Sequence, residues 1–335
     1  MSMTYIQHPG RVLTAGAGFS HVMALALDPR TKYRDGVIRC ITSRAGDLTV
    51  KGYVDRSVLH KVKSDSLEKF SIGEQLKISK QAEVVAKLAG SRFDFIGLED
   101  PDIWIDETTG LLHLYFTLPL KDLISHHTVP PLGHAYGKDL DRLEMTEPVL
   151  MADTMGRAKE LSIAPVNKHG FRYNLVESNK REQDGDYSVV RVALAENMGH
   201  DWHFGAMAYH PAEHRTPWIG GHASPGPLLP KSFIDLGGGK VLGLMNGREA
   251  DQTVNGQIHY GIFSVGLFIY DYENGIIDWV SPEPLIRDSE AKTITFASQF
   301  VETGKGEGIL YAHVDDSFVR AYTLSAAELR RILPI

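Results

Sequence analysis

At 335 residues, 43% hydrophobic and 23% charged, the chain has an ordinary globular composition and enough length for one large β domain or two ordinary domains. Its formal charge of −7 offers no basic excess to meet a nucleic-acid backbone. No apolar run reaches the roughly 18 residues of a membrane-spanning helix, and Met1 to Gly10 lacks the apolar core of a signal peptide. Cys40 is the single cysteine, which excludes an internal disulfide framework and a cysteine metal cluster. A cytoplasmic protein with no nucleic-acid or membrane partner is the expectation, and a homo-oligomer is compatible with it.

In chain order, short β-rich runs are predicted over Val37 to Thr42, Leu111 to Thr117, Phe171 to Glu177, Val189 to Ala193, Lys240 to Met245, Tyr260 to Tyr270 and Gly308 to His313. Turn signals precede many of them, among them Asp35-Gly36, Thr109-Gly110, His169-Gly170 and Gly237-Gly238-Gly239. Helical periodicity is nearly absent. The best helix is the last element, where Ser325-Ala326-Ala327-Glu328 reads as a capping box ahead of Leu329, Ile332 and Leu333.

A coarse repeat runs through these elements near 12–44, 96–117, 159–177, 220–246 and 296–313. In each unit an apolar strand with a polar residue at its end is followed by a turn and a second apolar strand. Five units of about 60 residues predict an all-β five-bladed propeller with a short C-terminal helix, spanning 1–335 as a single domain; a β-sandwich pair is the alternative. In a propeller the polar ends of successive inner strands converge on one axial pocket.

The most informative stretch is Glu99-Asp100-Pro101, two carboxylates where a loop enters a strand. Neighbours on a strand face opposite ways, so one carboxylate can look into a cleft while the other braces it. The other units bring Arg44; Arg157, Lys159 and Glu160; His222, Asn246, Arg248 and Glu249; and His313, Asp315 and Asp316 to the same ring. Several carboxylates with a few cations suit cleavage of a glycosidic bond, one carboxyl protonating the leaving oxygen and another activating water. The cations could instead hold inorganic phosphate as the nucleophile. Trp104, Tyr115 and Trp218 offer flat faces to a sugar. His210 and His214 have the spacing of a metal pair, but Pro211 breaks the helix that this would need, so no metal is expected. No Gly-x-Ser-x-Gly marks a nucleophilic serine.

The order of these motifs resembles the five-bladed propeller glycosidases, most of all glycoside hydrolase family 130, the β-mannoside phosphorylases and β-mannosidases. Gly97-Leu98-Glu99-Asp100-Pro101 is similar to the family's Gly-Val-Glu-Asp-Pro-Arg signature, and the stretches Ile38–Arg44, Lys159–Pro165, Gly220–Leu228, Leu242–Gly247 and Gly308–Leu333 resemble its other blade motifs. The resemblance implies that Asp100 is the general acid, directly or through a substrate hydroxyl, with Glu160 or Glu249 as base in a hydrolysis. It implies that Arg44, Glu99, Trp104, Lys159, His222, Asn246, Arg248, His313 and Asp315 bind an oligosaccharide, with no cofactor beyond phosphate as a co-substrate. Two departures stand out: Asp102 replaces the signature Arg, and Met245-Asn246 replaces Tyr-His. Both remove cations, which tilts the expectation toward inverting hydrolysis over phosphorolysis. The alternatives are an arabinanase or xylosidase-type propeller, using Asp100, Glu160 and Asp28 or Asp35, and a non-catalytic carbohydrate-binding propeller.

Overall fold

The structure, a computed structural model, describes residues 4–16, 18–151, 157–183, 185–214 and 216–334. Five blades stand around an axis, each with four antiparallel strands, and blade two adds the short strand Ile78–Ser79 parallel to Leu143–Met145. Their innermost strands are His21–Leu27, Glu99–Ile105, Lys159–Ser162, His222–Leu228 and Thr295–Gly304. Blade five is completed from the other end of the chain. Tyr5–Thr14 pairs antiparallel with Phe318–Ser325, so the first strand closes the ring against the last.

Apolar residues on the blade faces form one cluster at each of the five junctions. Val37 and Leu59 meet Leu114 and Phe116 between blades one and two, and Tyr115 and Leu132 meet Val176 and Ala193 between two and three. Leu175 and Val190 meet Val241 and Met245 next, then Leu244 and Val265 meet Phe300 and Leu310. Val319 and Tyr311 meet Val22 and Leu25 at the closing junction. Each such side chain contributes roughly 1.5–3 kcal/mol on full burial, so both faces of every blade are apolar and the alternating pattern of a half-exposed sheet is lost.

All seven sequence-predicted runs lie in or overlap blade strands. The C-terminal helix is present as Ala326–Arg330, but the Ser325 side chain makes no capping hydrogen bond, so the expected capping box does not form. The helix Gln81–Ala89 was not foreseen. Its N-cap is Lys80 in a left-handed conformation with no side-chain cap, so no start signal precedes it. Val84, Val85 and Leu88 hold it to the cluster between blades one and two.

Two features shape the axis. All five inner strands break register against their neighbours at a matching place: at Ala24, at Asp100-Pro101, at Glu160, between Pro225 and Leu228, and at Ser298. A bulge re-aims the side chain it carries. Ala24, Asp100 and Glu160 adopt left-handed backbone there, with φ of 53°, 47° and 49°. The second feature is Gly97, with φ of 141°, which passes so close to blade one that a Cβ would lie 2.2 Å from the Ser57 carbonyl oxygen. Ser57 N–H donates to the Ile96 carbonyl at 3.3 Å and its hydroxyl to the Leu98 carbonyl at 3.0 Å, pinning the approach to Asp100. Gly97→Ala must push this crossing apart or strain it. A loss of about 2 kcal/mol or more is expected in denaturant unfolding, with turnover falling as Asp100 shifts.

Candidate active site

The bulges pinch the axial channel into two cavities of about 360 Å³ each. One opens at the start of the inner strands and the other at their ends. Asp100 and Glu160 line both and so stand at the neck.

The first cavity is the polar one. Blade one supplies Arg39 and Tyr53, blade two Asp100, blade three Arg157, Lys159, Glu160 and Glu177, blade four His222 and Arg248, and blade five His313 and Asp316. Across its mouth a blade-one loop meets a blade-four hairpin. Lys51 N–H donates to the Ile258 carbonyl and Tyr260 N–H to the Thr49 carbonyl, both at 3.0 Å. Tyr53 and Tyr260 meet edge to face beneath this crossing.

Arg39 fixes the strand that carries Asp100. Its buried guanidinium donates to Asp100 Oδ1 at 2.9 Å and to Glu99 Oε1 at 2.5 Å. Glu99 lines neither cavity, and burial, with Asp100's charge added and Arg39 opposing, pushes its carboxyl up to about 7. Asp100 keeps a second oxygen, Oδ2, buried without a hydrogen-bond partner among the described residues. Burial and the Asp100 charge raise Glu160 well above the ordinary carboxyl range. Asp100 and Glu160 therefore form a carboxyl pair in which Glu160 is biased toward its protonated form.

The opposite wall is a cation cluster around one fully buried carboxylate. Glu177 accepts from His222 Nε2 at 2.9 Å, with Arg157 Nε at 3.8 Å and Lys159 Nζ at 3.9 Å. Burial would raise the Glu177 carboxyl, yet His222, Lys159 and Arg157 hold it well below the ordinary value. Burial pushes His222 down to about 4 despite Glu177, so its ring is a neutral donor. Burial works against the Lys159 ammonium, but Glu177 and Asp100 keep it charged. Arg248 lies with its guanidinium carbon 4.4 Å over the Tyr260 ring and pairs with Asp251 at 3.2 Å. The Nε groups of Arg157 and Arg248 are buried and have no hydrogen-bond partner among the described residues. Arg157, Lys159 and Arg248 thus share this wall with Glu177 and Asp251, and Asp186 lines the same cavity.

On the blade-five side Asp316 meets His313 Nε2 at 3.2 Å and the Tyr53 hydroxyl at 3.4 Å. Burial raises it, but the His313 hydrogen bond with Arg39 and Arg44 keeps it ionised, below the usual carboxylate range. His313 Nδ1 also accepts the strained Ala24 N–H at 3.3 Å.

Of the residues expected from sequence, Asp100, Glu160, Lys159, His222, Arg248 and His313 come together in this cavity. The others are placed elsewhere. Glu249 pairs with Arg287 at 2.8 Å outside both cavities, so it is no base for the site. Arg44 is spent in a two-pronged pair with Asp55, at 2.8 and 2.7 Å, behind the wall. Asn246 is fully buried and clamps blade four to blade five through the Ala297 backbone, accepting at 2.7 Å and donating at 3.1 Å. Asp315 caps the backbone N–H groups of Lys292, Thr293 and Ile294, and its neighbour Asp316 takes the cavity position. Trp104 lines the second cavity, with Arg172 5.3 Å over its ring. Tyr115 and Trp218 are buried core residues whose polar atoms bond the Met198 and Ser281 carbonyls. Asp28 pairs with Arg30 at the turn after the first inner strand, and neither it nor Asp35 lines a cavity. His210 meets Glu182 and His214 stacks on Tyr209; no group of three metal-ligating side chains assembles among the described residues. Asp102 and Asn246, whose identities spoke against an anion site, both lie off the cation wall.

Arg39, Tyr53 and Glu177 were not anticipated. Arg39 had a signal, as the one charge inside the apolar run Val37 to Thr42, and Glu177 had another, as the charged end of a buried strand.

No protein-family model matches the sequence, and no curated protein matches it. The fold is similar to solved structures. A β-1,2-mannobiose phosphorylase from Listeria innocua, solved with β-1,2-mannobiose, superposes with a TM-score of 0.65 at 12% identity over 98% of this chain and 99% of that one. A mannose phosphorylase from Leishmania mexicana, solved with a phosphate ion, gives 0.54 at 13% identity over 94% and 88%. An α-L-arabinofuranosidase from Podospora anserina gives 0.54 at 11% identity over 96% of each chain. These likenesses place the chain in the propeller fold shared by glycoside phosphorylases and glycosidases.

Proposed function

We propose that the protein is a carbohydrate-active enzyme, one catalytic propeller that breaks a glycosidic bond of a small oligosaccharide with inorganic phosphate as the attacking group. The observation that carries this reading is the polar cavity's division of labour: a carboxyl pair in which Glu160 is biased toward its protonated form faces a wall that carries Arg157, Lys159 and Arg248. Glu160, with Asp100 beside it, supplies the proton to the leaving oxygen. Arg157, Lys159 and Arg248 present donors to phosphate oxygens.

Hydrolysis would need a free carboxylate to activate water. Glu160 is pushed toward its protonated form, Glu177 is engaged by His222, Arg157 and Lys159, and Glu249 lies outside, which leaves Asp100 and Asp316 as the carboxyl groups a hydrolysis would have to use. Phosphate is already a nucleophile and needs no base. Direct displacement with no protein-bound intermediate gives inversion at the anomeric carbon. The crossing of the blade-one loop and the blade-four hairpin roofs the cavity, which suits a short oligosaccharide or a chain end. The solved relatives' mannobiose and phosphate ligands make β-mannobioses the first substrates to try.

One observation favours hydrolysis as a second reading: Asp316 is an ionised carboxylate lining the same cavity. A panel of oligosaccharides assayed with and without inorganic phosphate separates the two. Phosphorolysis predicts product only with phosphate, half of it a sugar 1-phosphate. Equal rates without phosphate support hydrolysis, and no turnover of any glycoside removes both readings.

A further inference from the structure

The second cavity and Asp102 have no part in the chemistry above. Asp102 lies two positions beyond Asp100 on the same inner strand, and the bulge at Asp100-Pro101 lets both line this cavity. It makes no salt bridge among the described residues. It pairs with Tyr115 across the strand, and it shares the lining of this cavity with Asp100 of its own strand, with Glu160 and Arg172 of blade three and with Lys231. The two cations are engaged elsewhere: Arg172 bonds the Ala164 carbonyl and covers Trp104, and Lys231 bonds the Tyr272 hydroxyl at 2.8 Å. Tyr115 gives its hydroxyl to the Met198 carbonyl. Burial, opposed only by the Ile103 N–H, moves the Asp102 carboxyl up to about 7, midway between its two protonation states at neutral pH.

Whatever attacks the sugar, the carboxyl pair ends the step one proton short. The bond from the anomeric carbon to the leaving oxygen breaks, that oxygen takes the Glu160 proton, and a new bond forms to a phosphate oxygen. The monohydrogen phosphate gives up its own proton to solvent on becoming the sugar 1-phosphate dianion, so the cycle balances once the pair takes up one proton from solvent. At this moment products fill the polar cavity. The face of the pair turned to the second cavity stays open, and about 360 Å³ is ample for water.

We infer that the second cavity is the proton route that reloads the Asp100–Glu160 pair, with Asp102 as its relay group. This rests on the reading of that pair as the acid. Asp102→Asn keeps size and shape but carries no exchangeable acid proton. Its kcat should fall about tenfold or more, with KM for sugar and phosphate within about twofold of wild type. The limb of its pH–kcat profile near neutrality should vanish, and its solvent isotope effect should rise. Asp102→Glu should recover most of the rate and that limb. A wild-type rate and profile in Asp102→Asn overturns the relay while leaving the site's function intact. A slower variant whose pH profile is unchanged also overturns it, since that is what a structural role would give. If the wild-type protein turns over no glycoside, the functional reading falls and the relay with it.

Discussion

Glu160→Gln is expected to lower turnover by about 10²- to 10⁴-fold while the protein still binds sugar and phosphate, and Asp100→Asn should cost a similar factor. The two side chains form one proton-bearing unit, so the double variant should be little worse than either single one. Steady-state rates with a binding titration check this. A second effect runs through stability. The folded-state affinity of Glu160 for its proton is raised above the ordinary carboxyl value of 4.5. Its favourable contribution is complete below that value and is lost as pH rises toward the raised one, because the unfolded chain releases the proton first. Glu160→Gln removes that loss. The variant should melt higher than wild type at pH 8, and the margin should shrink at pH 4. A catalytic loss without this pH-dependent gain would mean that Glu160 is not held protonated.

Glu177→Gln should have the largest effect on stability. The carboxylate is fully buried, and His222, Arg157 and Lys159 converge on it. Removing one partner of a buried charge cluster leaves the others uncompensated, at a cost of about 3–5 kcal/mol. Wild type should lose this support as pH falls below the ordinary carboxyl range, because Glu177's proton affinity is depressed in the fold. The variant should lack that acid transition. It also turns the cation wall into a stronger anion trap. Added phosphate should raise the melting temperature of Glu177→Gln more than that of wild type, since a ligand stabilises in proportion to its occupancy of the folded state. An equal response would place phosphate away from this wall.

Much of the architecture is written in local signals. Five short units, each an apolar strand with a polar residue at its end followed by a second apolar strand, are enough to suggest the propeller, and Glu99-Asp100-Pro101 marks the strand proposed to carry the acid pair's Asp100. The helix Gln81–Ala89 escapes because it starts on Lys80 without a cap and is held by packing against blade two. The site is harder to read, for a physical reason. Which of two adjacent residues reaches the axis is decided by bulges and by close crossings, and neither leaves a clear trace in composition. Asp315 and Asp316 are identical in type and both have positive φ, yet one caps a loop backbone and the other faces the cavity. Arg44 and Arg39 sit on one strand. The register of that strand against blade two gives Arg39 to the acid pair and leaves Arg44 to Asp55. Asp102 reads as a lost cation at an anion site until the bulge turns it toward the other cavity.

The central claim is that phosphate enters on the Arg157–Lys159–Arg248 wall and attacks a sugar protonated by the Asp100–Glu160 pair. Phosphorus NMR of a β-mannobiose reaction in phosphate buffer tests it most directly, with wild type and Lys159→Gln run side by side. The prediction is a sugar 1-phosphate resonance growing with wild type and nearly absent with Lys159→Gln. Free reducing sugar released at equal rates by both proteins, with no phosphorus resonance beyond the inorganic one, would contradict it.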